Sequence, residues 1–293
     1  MRVGFSLAPG ALLRFNFEAG RATDAISVAC PRLAGPAEPE SWRSERDCLV
    51  GVCIEAPEHH GDVEAAAFAA YQALLAEVRG SKHPYMVRIW NYLDAINEGQ
   101  GDDERYRRFC LGRAAAVDAT FNAPPPAATA IGHAHPIGRV QVIALCASTP
   151  GLALENPRQM PAWQYPRDYG PVSPGFSRGA LIGTGAHARL LASGTASIVG
   201  HYSLHPDDVR AQVREALANL AGLLDEAATA STRRFSLAAP QAMRVYLRRP
   251  HDLAAVQAEI ADAGIAPDAV VYLHGDICRR ELLVELEAVF APR

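Results

Sequence analysis

Two carboxylates, Glu285 and Glu287, stand among Leu, Val, Ala and Phe in LLVELEAVF, residues 282–290. The run is long and apolar enough to be a strand, and side chains along a strand alternate between its faces. Leu282, Val284, Leu286 and Ala288 then share a wholly apolar face, which is expected to meet helices. Leu283, Glu285, Glu287 and Val289 share the other. A carboxyl in apolar surroundings has its charged form disfavoured and its pKa raised. That chemistry supplies a general acid near neutral pH. The same alternation also fits an open sheet face with solvated glutamates.

Two further groups carry polar chemistry. In YRRFCLGR, residues 106–113, Tyr106 and Arg113 lie seven apart, two helical turns along one face with Phe109 and Cys110 between them. Arg113 offers a planar fork matched to a carboxylate; a snorkelling Arg at a helix edge gives the same pattern. The segment WQYPRDYGPVSPGFSRGA, residues 163–180, sets Tyr165, Arg167, Tyr169 and Arg178 on a loop stiffened by Pro and Gly. Such a loop suits an anionic small molecule, or simply covers the surface. SGTAS, residues 193–197, reads as a glycine-marked strand where backbone can approach a ligand closely. GTGAH (183–187) lacks the Lys-Ser/Thr of a phosphate loop, and no nucleophile elbow occurs. Together these residues predict a cleft with tyrosines, arginines and a carboxylic acid. They point to a substrate with two carboxylates and to acid catalysis without metal, nucleotide or other cofactor.

The composition sits in the ordinary soluble globular range. The chain has 293 residues, 49% hydrophobic and 20% charged, with a net charge of −4. That is enough for one large domain or two ordinary ones. The basic pairs Arg233-Arg234, Arg248-Arg249 and Arg279-Arg280 form no stripe, so they read as solvated ends of elements and nucleic acid is not an expected partner. No apolar run reaches the ~18 residues of a membrane span. Pro9, Gly10 and Arg14 break the N-terminal segment, so no secretory signal is read. Cys30, Cys48, Cys53, Cys110, Cys146 and Cys278 form no C-x-x-C pair and are expected as free thiols in a reducing cytoplasm. His59-His60 and His133/His135 lack partners at metal-ligand spacing.

The elements that must position these residues are readable from about residue 48. Strands are predicted at 48–56 and 85–93, helices at 62–80 and 101–119, and two strands at 128–134 and 139–147. Asp62 is the candidate cap of the first helix, Gly80 lies past its end, and three acidic residues start the second. Residues 150–180 read as a linker or long functional loop. The order then recurs: strand 188–200, helix 206–228 with Pro206 in its first turn, strand 242–249, helix 252–264, strands 268–275 and 282–290. Both halves read β-α-β-α-β-β. This predicts an α+β chain of two similar units, each a small sheet with helices on one face, packed across a cleft. The units are placed at 1–150 and 181–293, with 151–180 as the active-site loop.

LASGTASIVGHYSLHPDDVRAQVREALANL, MRVYLRRPHDLAAVQAEI and LLVELEAVF resemble the RidA/YjgF-type, chorismate-mutase-like fold over about 180–293. With YMVRIWNYLDAINEG, ERYRRFCLGR and DICRRELLVELE, the chain from about residue 48 is similar to the chorismatases. That resemblance implies an intrachain pseudo-oligomer of two RidA-like units, expected as a cytoplasmic monomer. It implies conversion of chorismate to pyruvate and a hydroxybenzoate, 3-hydroxybenzoate favoured and 4-hydroxybenzoate the alternative. Hydrolysis to a dihydroxycyclohexadiene carboxylate, imine deamination or ligand binding alone are the other readings. By motif, Tyr106, Arg113, Tyr165 and Arg178 match ligand-binding positions, and Glu285 matches the catalytic glutamate. Cys278 matches a position that is Cys in enzymes resembling the 3-hydroxybenzoate-forming group and Ala in the hydrolysing group.

Overall fold

The structure, a computed structural model, describes residues 32–34 and 49–293. Cys30, Cys48 and the rest of the N-terminal stretch lie outside those residues. The first half consists of β1 (Arg32–Ala34), β2 (Leu49–Pro57), α1 (Val63–Arg79), β3 (Tyr85–Leu93), α2 (Arg105–Ala116), β4 (Ala127–Gly132) and β5 (Arg139–Ala147). It continues through β6 (Leu152–Leu154), β7 (Gly179–Ile182), β8 (Arg189–Ala192), β9 (Ile198–Val199), β10 (Tyr202–Ser203) and α3 (Val209–Ser231). The last part holds β11 (Pro240–Leu247), α4 (Leu253–Asp262), β12 (Val270–His274), β13 (Asp276–Ile277) and β14 (Val284–Phe290).

Two sheets form. One has the order β13-β4-β3-β5-β2, the other β1-β12-β11-β14-β8-β7-β6. Inside them, β4-β3-β5-β2 and β12-β11-β14-β8 share one design. In each, the two strands joined through the second helix run parallel and the remaining neighbours antiparallel. The chain is thus α+β, and the β-α-β-α-β-β repeat exists in the ladders as well as in the sequence. Helices cover the outer face of each sheet: Ala67, Ala70 and Leu74 of α1 pack with Ile89 and Leu93, and Leu220 and Leu224 of α3 pack with Val284, Leu286 and Ala288. The inner faces meet in a third core containing Trp90, Tyr92, Tyr246 and Leu273. Burying such large side chains is the main force holding the two units together.

Several boundaries move, each for a local reason. Asp62 caps α1 by accepting from the Ala65 amide at 3.0 Å, and Gly80 follows its end, as the residue types predict. Helix α2 starts at Arg105 rather than 101. Gly99 has φ +95°, with Asp103 backbone where a Cβ would stand, and residues 101–103 form a separate 3₁₀ turn. Asp102 and Asp103 therefore precede the helix. Pro206 lies before α3, because His205 and Asp207 take φ of 58° and 62°, outside any helix; Asp208 makes the cap instead, accepting from Ala211 at 3.0 Å. The stretch 150–180 is not wholly loop: β6 pairs with β7, and both extend the second sheet. No helix among the described residues is long and apolar enough to cross a membrane.

Candidate active site

Strand β4 is only partly covered along its outer edge. β13 pairs with Ile131 and Gly132 alone. The remainder is met by the segments around β7 and β8: the Ala128 amide donates to Ser193 Oγ at 2.9 Å, and the Gly194 amide donates to Thr129 Oγ1 at 2.9 Å. Beside this edge opens a cavity of about 360 Å³, within the range of small-molecule sites. Tyr106, Arg113, Tyr165, Arg178, Cys278 and Glu285 all line it. They come from α2, from the 155–178 segment and from the second repeat unit, so the site lies between the units.

Two guanidiniums are held rigidly in the wall. Arg113 is 7% exposed and Arg178 4%, so neither snorkels. Arg113 lies 5.6 Å from the Tyr71 ring and 5.7 Å from the Phe121 ring, and its Nη2 donates to the Gly175 carbonyl. Arg178 donates through Nη2 to the Met160 carbonyl and to the Tyr165 hydroxyl, both at 2.7 Å. The Nε of each is buried with no protein acceptor. A buried cation with a spare donor favours an anionic ligand, above all a carboxylate. Tyr106 stacks on Phe109 one turn along, and burial raises its hydroxyl well above the usual tyrosine range. Arg167, by contrast, is on the surface, where it grips Asp102 and pins the loop to the entrance of α2.

Glu285 and Glu287 are both buried, at 4% and 0% exposure, which excludes the solvated sheet face. They point into the space between the sheets, while Val284, Leu286 and Ala288 meet α3. Burial, reinforced by the Glu287 charge, pushes the Glu285 carboxyl up to about 8; Arg88 and Arg178 act in the opposite sense. Glu285 is therefore a carboxylic acid at neutral pH, aimed into a cavity walled by arginines. Gly194 makes this placement possible, since a Cβ there would overlap the Glu285 carboxyl. SGTAS, expected as a strand beside a ligand, lies between β8 and β9, and its Gly194 backbone closely approaches a side chain of the same molecule. The Cys278 thiol is raised strongly by burial and then by Glu285, so it is neutral and no nucleophile.

The basic pairs were misread in part. Arg233 and Arg234 are exposed, but Arg279 lines the cavity with its guanidinium 4.2 Å from the Tyr169 ring and 5.2 Å from Tyr165. It donates to the His201 carbonyl at 2.8 Å and Ser203 Oγ at 3.0 Å. Arg248 is half-buried and binds Asp276 at 2.7 Å, tying down the segment that carries Cys278. Both basic residues follow strands or turns with charged neighbours, so nothing in their local pattern separates them from solvated ends. His133 is buried and paired with Asp94 at 2.6 Å. Among the described residues, no three His, Cys, Asp or Glu side chains group as metal ligands.

Residues 28–146 match the family model for the N-terminal part of FkbO/Hyg5-like chorismatases. The chain is 36% identical over 269 residues to a chorismatase of Streptomyces rapamycinicus, covering 89% of this chain and 80% of that protein. It is 36% identical over 241 residues to a 3-hydroxybenzoate synthase of Streptomyces hygroscopicus, covering 78% and 70%. A chorismatase crystal structure superposes with a TM-score of 0.77 at 33% identity, over 87% of this chain and 81% of that one. With a repeat-built fold and a cavity that joins a buried acid to two guanidiniums, this chain belongs to the chorismatase family.

Proposed function

We propose that the chain converts chorismate to pyruvate and a hydroxybenzoate, with 3-hydroxybenzoate as the favoured product and 4-hydroxybenzoate the alternative. The observation that carries this reading is Glu285, an uncharged buried acid in the same cavity as Arg113 and Arg178. The similar 3-hydroxybenzoate synthase supports the choice of product. Arg113 and Arg178 bind the two carboxylates of chorismate, and Tyr106 and Tyr165 add hydrogen bonds. Glu285 gives its proton to the methylene carbon of the enolpyruvyl ether. The resulting oxocarbenium is captured by the neighbouring ring hydroxyl or by water, and pyruvate leaves. From the ring-hydroxyl adduct, whose ring C–O bond breaks as pyruvate leaves, loss of a ring proton forms the aromatic acid; capture by water gives the dihydroxycyclohexadiene carboxylate instead. Chorismate and the pair pyruvate plus hydroxybenzoate have the same total composition, so no cofactor or oxidant is consumed. Both units lie in one chain and complete the cavity between them, so a monomer suffices.

Incubation with chorismate, followed by chromatography and mass analysis, tests the reading. Pyruvate with a hydroxybenzoate is expected. A ring product heavier by one water would mean hydrolysis to a dihydroxycyclohexadiene carboxylate. Intact chorismate would reduce the protein to a binding module, and ammonia from amino-acid-derived imines would indicate a deaminase.

The pH profile follows from the sign of the Glu285 shift. The protonated acid is the active form, so kcat/KM is expected to fall as pH rises through about 8. Arg178 holds that pKa down in the free enzyme. A substrate carboxylate on Arg178 offsets its charge, so the basic limb of kcat lies above that of kcat/KM. Coincident limbs would separate Arg178 from the substrate.

Cys278 fills space beside the acid. Cys278→Ala removes the sulfur and opens room approaching the roughly 10–15 Å³ that a water needs. The expected result is a several-fold rise in the share of hydrated ring product, read on the same chromatogram. An unchanged product ratio would leave Cys278 a packing residue only.

A further inference from the structure

Glu287 lies two residues beyond the acid, on the same face of β14, and is fully buried. Every group around it donates. Arg88 Nη2 reaches Oε2 at 2.5 Å and Arg244 Nη1 reaches Oε1 at 2.8 Å. The Trp90 indole N–H lies at 2.9 Å, the Thr129 hydroxyl at 2.5 Å and the Tyr246 hydroxyl at 3.1 Å. Tyr92 completes the cluster through its hydroxyl, 2.9 Å from that of Tyr246. Arg88 sits in β3 and Arg244 in the corresponding strand β11, so the two repeat units each send one arginine to the same carboxylate.

The consequence for Glu285 is electrostatic and geometric. The groups whose charge reaches Glu285 are Glu287, Arg88 and Arg178, with the Tyr106 hydroxyl and Cys278 thiol also nearby. Arg88 is the cation that would otherwise turn Glu285 into a buried ion pair, and it is engaged by Glu287. Thr129 joins the two acids mechanically: it donates to Glu287 and accepts the Gly194 amide, the residue against which the Glu285 carboxyl rests.

On the chorismatase reading above, we propose that Glu287 is a positioning residue that occupies Arg88 and Arg244 and so keeps the proton on Glu285. Glu285 donates to substrate, while Glu287 never touches it.

The test is a set of pH profiles of pyruvate release, with circular dichroism and melting curves to certify folding. Glu287→Gln leaves Arg88 unopposed, so the basic limb of kcat/KM is expected to move down by at least about one pH unit. Activity lost at pH 8 should then return in part near pH 6. Arg88→Gln removes the opposing cation and is expected to move the limb upward. A purely structural role predicts parallel losses at every pH and no such pair of opposite shifts. A folded Glu287→Gln with the parent limb overturns the proposal. Should that variant fail to fold, Arg88→Gln decides: a limb that stays or moves down overturns it, and an upward shift supports it. Absence of pyruvate from the parent protein would instead defeat the chorismatase reading itself.

Discussion

Glu285→Gln is expected to lower kcat for pyruvate release by about 100- to 10,000-fold, the span that a positioned general acid supplies. The amide is nearly isosteric with the carboxylic acid, keeps a hydrogen-bond donor and carries no charge, so the fold and chorismate binding should survive. Stability gives an independent reading. In the folded protein the Glu285 pKa is about 8, whereas in the unfolded chain it returns to the usual 4.5. Between those values the unfolded state releases a proton that the folded state keeps, so the parent loses stability as pH rises from 5 to 8. The glutamine variant lacks this loss. Its melting temperature relative to the parent should therefore climb with pH over that window. Normal turnover would remove Glu285 from its role, and a flat melting difference would show that the acid is not held neutral.

The second large effect is expected at Arg178. Arg178→Ala should reduce kcat/KM by about 30-fold or more, since truncating one partner of a buried charged contact costs about 2–5 kcal/mol. Part of the cost is indirect, because Tyr165 loses the 2.7 Å bond that orients its hydroxyl. The residual activity carries a second mark. Arg178 lowers the Glu285 pKa, so removing it should move the basic limb upward while the rate falls. A limb that moves down, or an unchanged kcat/KM from steady-state assays, would place the substrate carboxylate elsewhere.

The parts of the site that depend on local periodicity were legible in the sequence. Strand alternation alone set Glu285 on the face away from α3, and helical spacing alone put Tyr106 and Arg113 on one side of α2. What alternation could not decide was whether that face of β14 met water or a second sheet. The answer lies in partners far away in the chain: Arg88 stands 199 residues before Glu287. For the same reason the pattern treated Glu285 and Glu287 as equals. Only their neighbours distinguish them, one ringed by donors and the other facing the cavity. Arg279 was missed because a basic pair after a short strand looks the same whether it meets solvent or two tyrosine rings. The β6–β7 pairing escaped notice because three residues among prolines carry too little alternation to read as a strand.

The shared strand order of the two units bears on how many reactions one chain can host. With Arg88 set on Arg244, the ladder partners of β3 place Leu145 and Ile143 where β14 carries Glu287 and Glu285. The duplicate therefore carries apolar side chains where its twin carries the two carboxylates, so the proposed acid has no counterpart at that position of the other half. Titrating the protein with a tight-binding product analogue should saturate at a single equivalent per polypeptide, an asymmetric end-point for a molecule assembled from two copies of one plan.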